Sequence, residues 1–164
     1  MTSGVCACVV ILTPDRIVTG HVGDCRAVFA PTDGGPPIQL TCDHTISNPV
    51  EKDRVADYIT SEGYVAGLMV TRSLGNFHLG SFSKCEGQLP VPSLSSVPRR
   101  PGLLLIASDG LLDVMSNESA IEFLRRSLRR PSGSVQTAAD EIVTRAIVRG
   151  SMDNIGVILV KVFP

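Results

Sequence analysis

The 164 residues carry 15 basic and 16 acidic side chains, a net charge of −1, and 43% hydrophobic residues with no tryptophan. That suits one domain with a core and is short for two, and the charge balance gives no reason to expect nucleic acid or an anionic membrane as partner. The longest apolar runs, Val5 to Leu12 and Leu103 to Ala107, fall far below the roughly 18 residues of a membrane span, and Met1-Thr2-Ser3-Gly4 lacks the basic lead of a secretory signal.

The first third reads as strands. Val5 to Leu12 is apolar and rich in β-branched residues, and Thr13-Pro14-Asp15 is a turn. Arg16 to Val22 and Cys25 to Ala30 follow as strands joined by a tight turn at Gly23-Asp24, then a loop from Pro31 to Pro37 and a short strand from Ile38 to Thr41. Hairpin-linked strands of this kind predict an antiparallel sheet. Ser47-Asn48-Pro49 announces a helix, with a capping side chain before a proline whose missing N–H costs nothing there; it carries Val55 and Ile59 and stops near Gly63. Tyr64 to Arg72 reads as strand broken at Gly67. Gly75 to Pro101 holds no period and reads as a loop with one short strand near Leu94 to Val97.

Leu103-Leu104-Leu105-Ile106-Ala107-Ser108 is a continuous apolar run of strand length, closed by Asp109-Gly110. Two helices come next. Ser116 or Asn117 caps the first, with Ile121, Leu124 and Leu128 in one stripe. The second spans about Val135 to Arg149, with Val135, Ala138, Ile142 and Ala146 in register and Gly150 as its stop. A last strand, Ile155 to Val162, follows Gly150-Ser151-Met152-Asp153-Asn154. Strands first, then helices on a sheet, predict an α+β layered domain.

Asp109 leaves its strand and Asp153 enters its own, so the two carboxylates reach one edge of a sheet only if those strands run antiparallel. Paired there, they suit a hard divalent cation, which takes oxygen ligands. Each also has an ordinary reading as a turn residue bonding its own backbone, with Gly110 taking positive φ. Asp24, at the tip of a predicted hairpin, is equally ambiguous alone; three aspartates at three strand ends are worth more than the sum. Asp43-His44 could be an acid/base pair, but a loop histidine capping the coming helix is the preferred reading. Arg125-Arg126 and Arg129-Arg130 end a helix, where cations complement the dipole and Glu122 can pair with Arg126; they read as a solvated face rather than an anion site. The five cysteines, Cys6, Cys8, Cys25, Cys42 and Cys85, form no C-x-x-C pair. They read as reduced, buried thiols of a cytoplasmic or nuclear protein.

Five ordered segments carry a resemblance: Gly23-Asp24-Cys25-Arg26-Ala27-Val28, Asp43-His44 with Ser47 to Val55, Val70-Thr71-Arg72-Ser73-Leu74-Gly75, Ala107 to Asn117, and Gly150 to Ile155. The chain resembles the type 2C (PPM) family of metal-dependent protein serine/threonine phosphatases from about Ser3 to Phe163. The resemblance implies an antiparallel β-sandwich flanked by antiparallel helices in α/β/β/α layers, with residues 1–164 as a partial, N-terminally truncated catalytic domain. It implies a manganese or magnesium centre and hydrolysis of phosphoserine or phosphothreonine in protein substrates by a metal-activated water. Asp109 and Asp153 resemble late ligands to one metal, Asp24 resembles the carboxylate of a weaker third site, and Arg26, Arg54 and Arg72 match family positions with structural roles.

The departures also carry implications. The family's upstream part, with an early acidic ligand, an Asp-Gly-His-Gly box bridging both metals and a phosphate-binding arginine, has no counterpart in this sequence, and Asn76 stands where the family usually has aspartate. The expectation is a weak, incomplete metal site, no residue of this chain acting catalytically by itself, and exposed sheet edge and apolar surface. A partner chain covering the missing strands would complete it. The alternative is a catalytically inactive relative that binds phosphoproteins or a phosphatase.

Overall fold

A computed structural model describes residues 3–76 and 90–164. Two antiparallel sheets form its centre. Four strands, β5 (Ile38–Gln39), β4 (Arg26–Pro31), β8 (Gly102–Ala107) and β9 (Val157–Val162), lie in that order in one sheet; β2 (Ala7–Leu12), β3 (Arg16–Val22) and β7 (Ser93–Pro98) make the other. A small separate pair joins β1 (Gly4–Val5) to β6 (Leu74–Gly75).

The run Leu103 to Ala107 lacks polar/apolar alternation because both of its faces are buried. Leu104 packs toward the second sheet with Ala27, Phe29, Ile17, Leu40 and Val162. Leu103, Leu105 and Ala107 face the other way, with Val28 and Ala30, into a core shared with two helices. Those helices are α3 (Asn117–Leu128) and α4 (Val135–Val148), capped by Ser116 and Ser134, whose hydroxyls accept from Ser119 N–H and Thr137 N–H. Ile121, Leu124, Ala138, Ile142 and Ala146 form their buried stripe as the heptad-like spacing requires. Gly150, at φ +91°, stops α4.

Three layers are thus described: helices, four-stranded sheet, three-stranded sheet. The outer face of the third carries Val9, Ile11 and Leu94, exposed at 58%, 57% and 77%. This is, among the described residues, an exposed apolar surface of the kind expected from the sequence. Among the described residues, no helix is long and apolar enough to cross a membrane.

Several local expectations need correction. Gly23-Asp24 is no hairpin tip: β3 and β4 belong to different sheets, so this turn carries the chain from one layer to the other. The helix after Asn48 is short, α1 (Pro49–Arg54), followed by one 3₁₀ turn at Ala56–Tyr58. Tyr64 to Arg72 is not a strand, because Ala66 and Gly67 take positive φ and leave only isolated bridges such as Thr45 to Val70. Most of the region read as a loop before Leu94, residues 77–89, lies outside the described residues, as does Cys85.

Candidate functional site

The sheet register decides which acidic residues meet. In the four-stranded sheet Arg26 pairs with Ala107, and Ala107 pairs with Val157. Asp24 lies two residues before Arg26 and Asp109 two residues beyond Ala107, at the same end. The chain entering β9 reaches that end too. Ser108 N–H donates to Gly156 O at 3.0 Å, Gly156 N–H donates to Ser108 Oγ at 2.9 Å, and Ser151 Oγ donates to Gly110 O at 2.6 Å. A Cβ on Gly110 would stand 2.5 Å from the Asn154 carbonyl oxygen. The residue after Asp109 therefore touches the residue after Asp153. Asp24, Asp109 and Asp153 rim one end of one sheet, as antiparallel pairing of β8 and β9 requires.

Asp109 begins a one-turn helix, α2 (Asp109–Leu112), and its Oδ1 accepts from Gly110 N–H at 2.9 Å. That bond was expected of a turn aspartate, but Gly110 is helical and does not take positive φ. Its lack of a side chain serves close approach to Asn154 instead. Asp153 is exposed, with Oδ1 accepting from Asn154 N–H at 2.6 Å.

Like charges meet at this rim. Burial, then the Asp109 carboxylate, pushes the Asp24 carboxyl above the ordinary range, while the Cys6 thiol hydrogen-bonds it and pulls the other way. Cys6 itself is held protonated: burial, followed by the charge of Asp24, moves it up to about 12. Asp113, one helical turn beyond Asp109, is raised by burial and then by Asp109, with Asp153 adding to it and Arg26 opposing. Asp113 was not singled out from the sequence. The i, i+4 spacing from Asp109 was its signal, but it becomes visible only once Asp109 is read as the start of a helix rather than a turn.

The surroundings fix this end rigidly. Arg26 forms an ion pair with Asp43, and its Nη1 donates to Asn117 Oδ1 at 3.2 Å, while Asn117 Nδ2 donates to Gln39 Oε1 at 2.8 Å. One guanidinium thereby ties β4 to the segment before α1 and to α3. Asp43 is thus occupied with Arg26, and Asn48, not His44, caps α1 by accepting from Val50 N–H at 3.1 Å.

His44 is buried and stacks on His21 with ring centroids 4.4 Å apart. Its Nδ1 accepts from Gly23 N–H at 3.1 Å, which places the proton on Nε2, 2.8 Å from Ser93 Oγ. His44 straps the turn that presents Asp24. Burial, then the charge of Arg72, lowers it to about 4. The unfolded chain therefore takes up this proton first as pH falls, and stability drops from the ordinary histidine range near 6.5 through about 4. An imidazole NMR titration is expected to show His44 silent above about pH 5; a midpoint at the usual value would remove the strap from the account.

The cysteines are less buried than expected. Cys6, Cys8 and Cys25 are half-buried and Cys42 is exposed, all as free thiols.

The rim suits a cation in charge and in donor type: carboxylate oxygens, with the nearby Arg26 already paired with Asp43. It is not a finished cage. Among the described residues, no three His, Cys, Asp or Glu side chains stand close enough to hold a metal ion. The carboxylate oxygens present are of the type a divalent cation takes, on one side of such a site.

Comparison with known proteins identifies the family. The family model for protein phosphatase 2C matches residues 1–155. Two rice (Oryza sativa subsp. japonica) proteins called probable protein phosphatase 2C 54 and 8 are 33% and 35% identical, over 98% of this chain and 46% and 42% of their own lengths. The Arabidopsis thaliana probable protein phosphatase 2C 24 is 32% identical over 96% of this chain and 47% of its own. Among solved structures, a phosphatase from a pathogenic strain of Toxoplasma gondii superposes with a TM-score of 0.74 at 23% identity, covering 90% of this chain and 49% of that one. A second, serine-threonine phosphatase 2C from the same organism, gives 0.72 at 23% over 94% and 57%. The chain belongs to the protein phosphatase 2C family, whose members are metal-dependent phosphatases. It spans about half the length of the curated relatives it matches.

Proposed function

We propose that this protein phosphatase 2C chain forms part of a phosphoserine/phosphothreonine phosphatase site, with Asp109 and Asp153 holding one Mn²⁺ or Mg²⁺ and Asp24 facing a weaker position. The supporting observation is the convergence of three strand ends on one rim, where the residues after Asp109 and Asp153 touch. A divalent cation bound there would acidify water and offset charge on a phosphoryl group. Asp109, fixed at the start of α2, presents oxygens from backbone that hardly moves. Asp153, on the linker pinned by Ser108 and Ser151, supplies the facing oxygens. Arg26 keeps the rim in place through Asp43 and Asn117 rather than reaching substrate. Phosphoproteins of a reduced compartment, cytoplasmic or nuclear, are the substrates this reading names.

The lack of any three-ligand group among the described residues favours a second reading, a non-catalytic relative that binds phosphoproteins. Both make the same demand of the isolated chain: weak metal binding, around the millimolar range of the loosest oxygen sites, and little release of phosphate from a phosphothreonine peptide with added Mn²⁺. Mn²⁺ titration by water-proton relaxation is expected to show affinity falling about 10–100-fold in Asp109→Asn and in Asp153→Asn. Unchanged affinity in both would remove them as ligands. Robust Mn²⁺-dependent turnover, abolished by Asp109→Asn, would instead show the site complete and sink the partial-site reading.

A further inference from the structure

The same strands that carry the acidic rim have a basic opposite end. Pro31 pairs with Gly102, and Gly102 with Val162, about 20 Å along the strands from the aspartates. A hollow of about 430 Å³ opens there, within the size range of ligand pockets. Its charged side chains are Arg125, Arg129 and Lys161, three cations against the single terminal carboxylate of Pro164, and no acidic side chain lines it. Arg125 is half-buried and anchored, its Nη2 donating to Pro31 O at 2.8 Å. Arg129, one helical turn on, and Lys161, from β9, make no side-chain hydrogen bond or ion pair among the described residues. Nearby cations are engaged: Arg100 with Asp33, Arg130 with Glu141 and, at 4.0 Å, Arg126 with Glu122.

From the sequence these arginines read as a solvated face; the structure places two of them over an apolar wall. Leu103 and Val162 are buried in it, Leu128 is half-buried, and Phe163 is 67% exposed at its lip. Cations from two elements border an apolar floor. They suit negative charges flanking an apolar side chain. A neighbouring hollow on the far side of Arg125 and Arg129 includes Glu118 and Glu122, so an anionic ligand is favoured in the first alone.

We propose that this hollow binds an acidic peptide segment carrying one apolar side chain, with Arg129 and Lys161 meeting its carboxylates and Leu103, Leu128 and Val162 its apolar residue. It is independent of the metal-site reading, and its test needs no activity. Fluorescence anisotropy with the 164-residue chain would use a labelled short peptide of Glu and Asp around a single Leu. Saturable binding is expected, weakened by salt and about tenfold or more by Arg129→Glu and, separately, by Lys161→Glu. Both side chains are exposed, on different elements, and circular dichroism checks that each variant folds. Replacing the peptide's Leu by Ser is expected to weaken binding about fivefold or more. Absence of saturable binding overturns the proposal, as does an affinity indifferent to both variants. Full competition by millimolar inorganic phosphate, or indifference to the Leu, overturns it in favour of a simple anion site.

Discussion

Glu51→Gln is expected to destabilise the fold by about 3–5 kcal/mol in urea denaturation, as removal of one partner from a buried ion cluster does. Glu51 sits in the first turn of α1 with only 1% of its side chain exposed. Arg54 Nη2 reaches Oε2 at 2.7 Å, Thr71 Oγ1 donates to the same oxygen at 2.6 Å, and Arg72 pairs with Oε1. Burial opposes ionisation, but the hydrogen bonds from Arg72, Arg54 and Thr71 together outweigh it and hold the carboxyl down at about 2. A glutamine has the same shape and no charge, so it takes the carboxylate charge away from two guanidinium groups and turns one of its own N–H groups toward them.

The consequence reaches beyond α1. Arg72 also donates to Val91 O at 3.1 Å, so the cluster clamps α1, the segment before β6 and the approach to β7. The acid limb gives a second readout. A carboxyl whose folded pKa is depressed contributes stability above its unfolded value near 4.5, lost as pH falls from there through about 2. That part of the acid slope should vanish in Glu51→Gln. A variant within about 1 kcal/mol of the parent, with its acid limb intact, would show that the cluster is solvated in solution and contributes little.

Legibility in the sequence follows the range of the forces involved. Strands buried on both faces, and helices with one stripe, write themselves into local periodicity, so Leu103 to Ala107, α3 and α4 stand where expected. Caps are equally local: Asn48 and Gly150 are readable from sequence, and the cap of α3 is narrowed to Ser116 or Asn117, of which Ser116 is the one that caps. What local patterning cannot hold is which strand pairs with which. The Gly23-Asp24 turn has the composition of a hairpin, and only the long-range pairing of β4 with β8 shows that it crosses between sheets. The same limit hid Asp113, whose meaning depends on a helix of one turn, and made His44 look like a cap. That the segments carrying Asp109 and Asp153 reach one end of the sheet was legible because it needed one topological condition, antiparallel β8 and β9. That condition holds.

Gly110→Ala is the sharpest test of how that meeting is held. The added methyl would stand 2.5 Å from the Asn154 carbonyl oxygen and 3.2 Å from its carbon, both backbone atoms that cannot rotate away. On the other side of Gly110 the carbonyl is fixed by Ser151 Oγ, so relief requires α2 and the linker before β9 to separate. Forced overpacking of this kind costs about 1–3 kcal/mol. No carboxylate is lost, yet Mn²⁺ affinity should fall, because Asp109 and Asp153 ride on the two segments pushed apart. Gly156→Ala is the matched control, since its nearest neighbour, Ser108 Oγ, would lie at 3.9 Å, an ordinary contact; its stability and Mn²⁺ affinity should match the parent's. If Gly110→Ala behaves like Gly156→Ala in both measurements, the contact with Asn154 does not set the spacing of the two aspartates, and the metal-site proposal loses its geometric support.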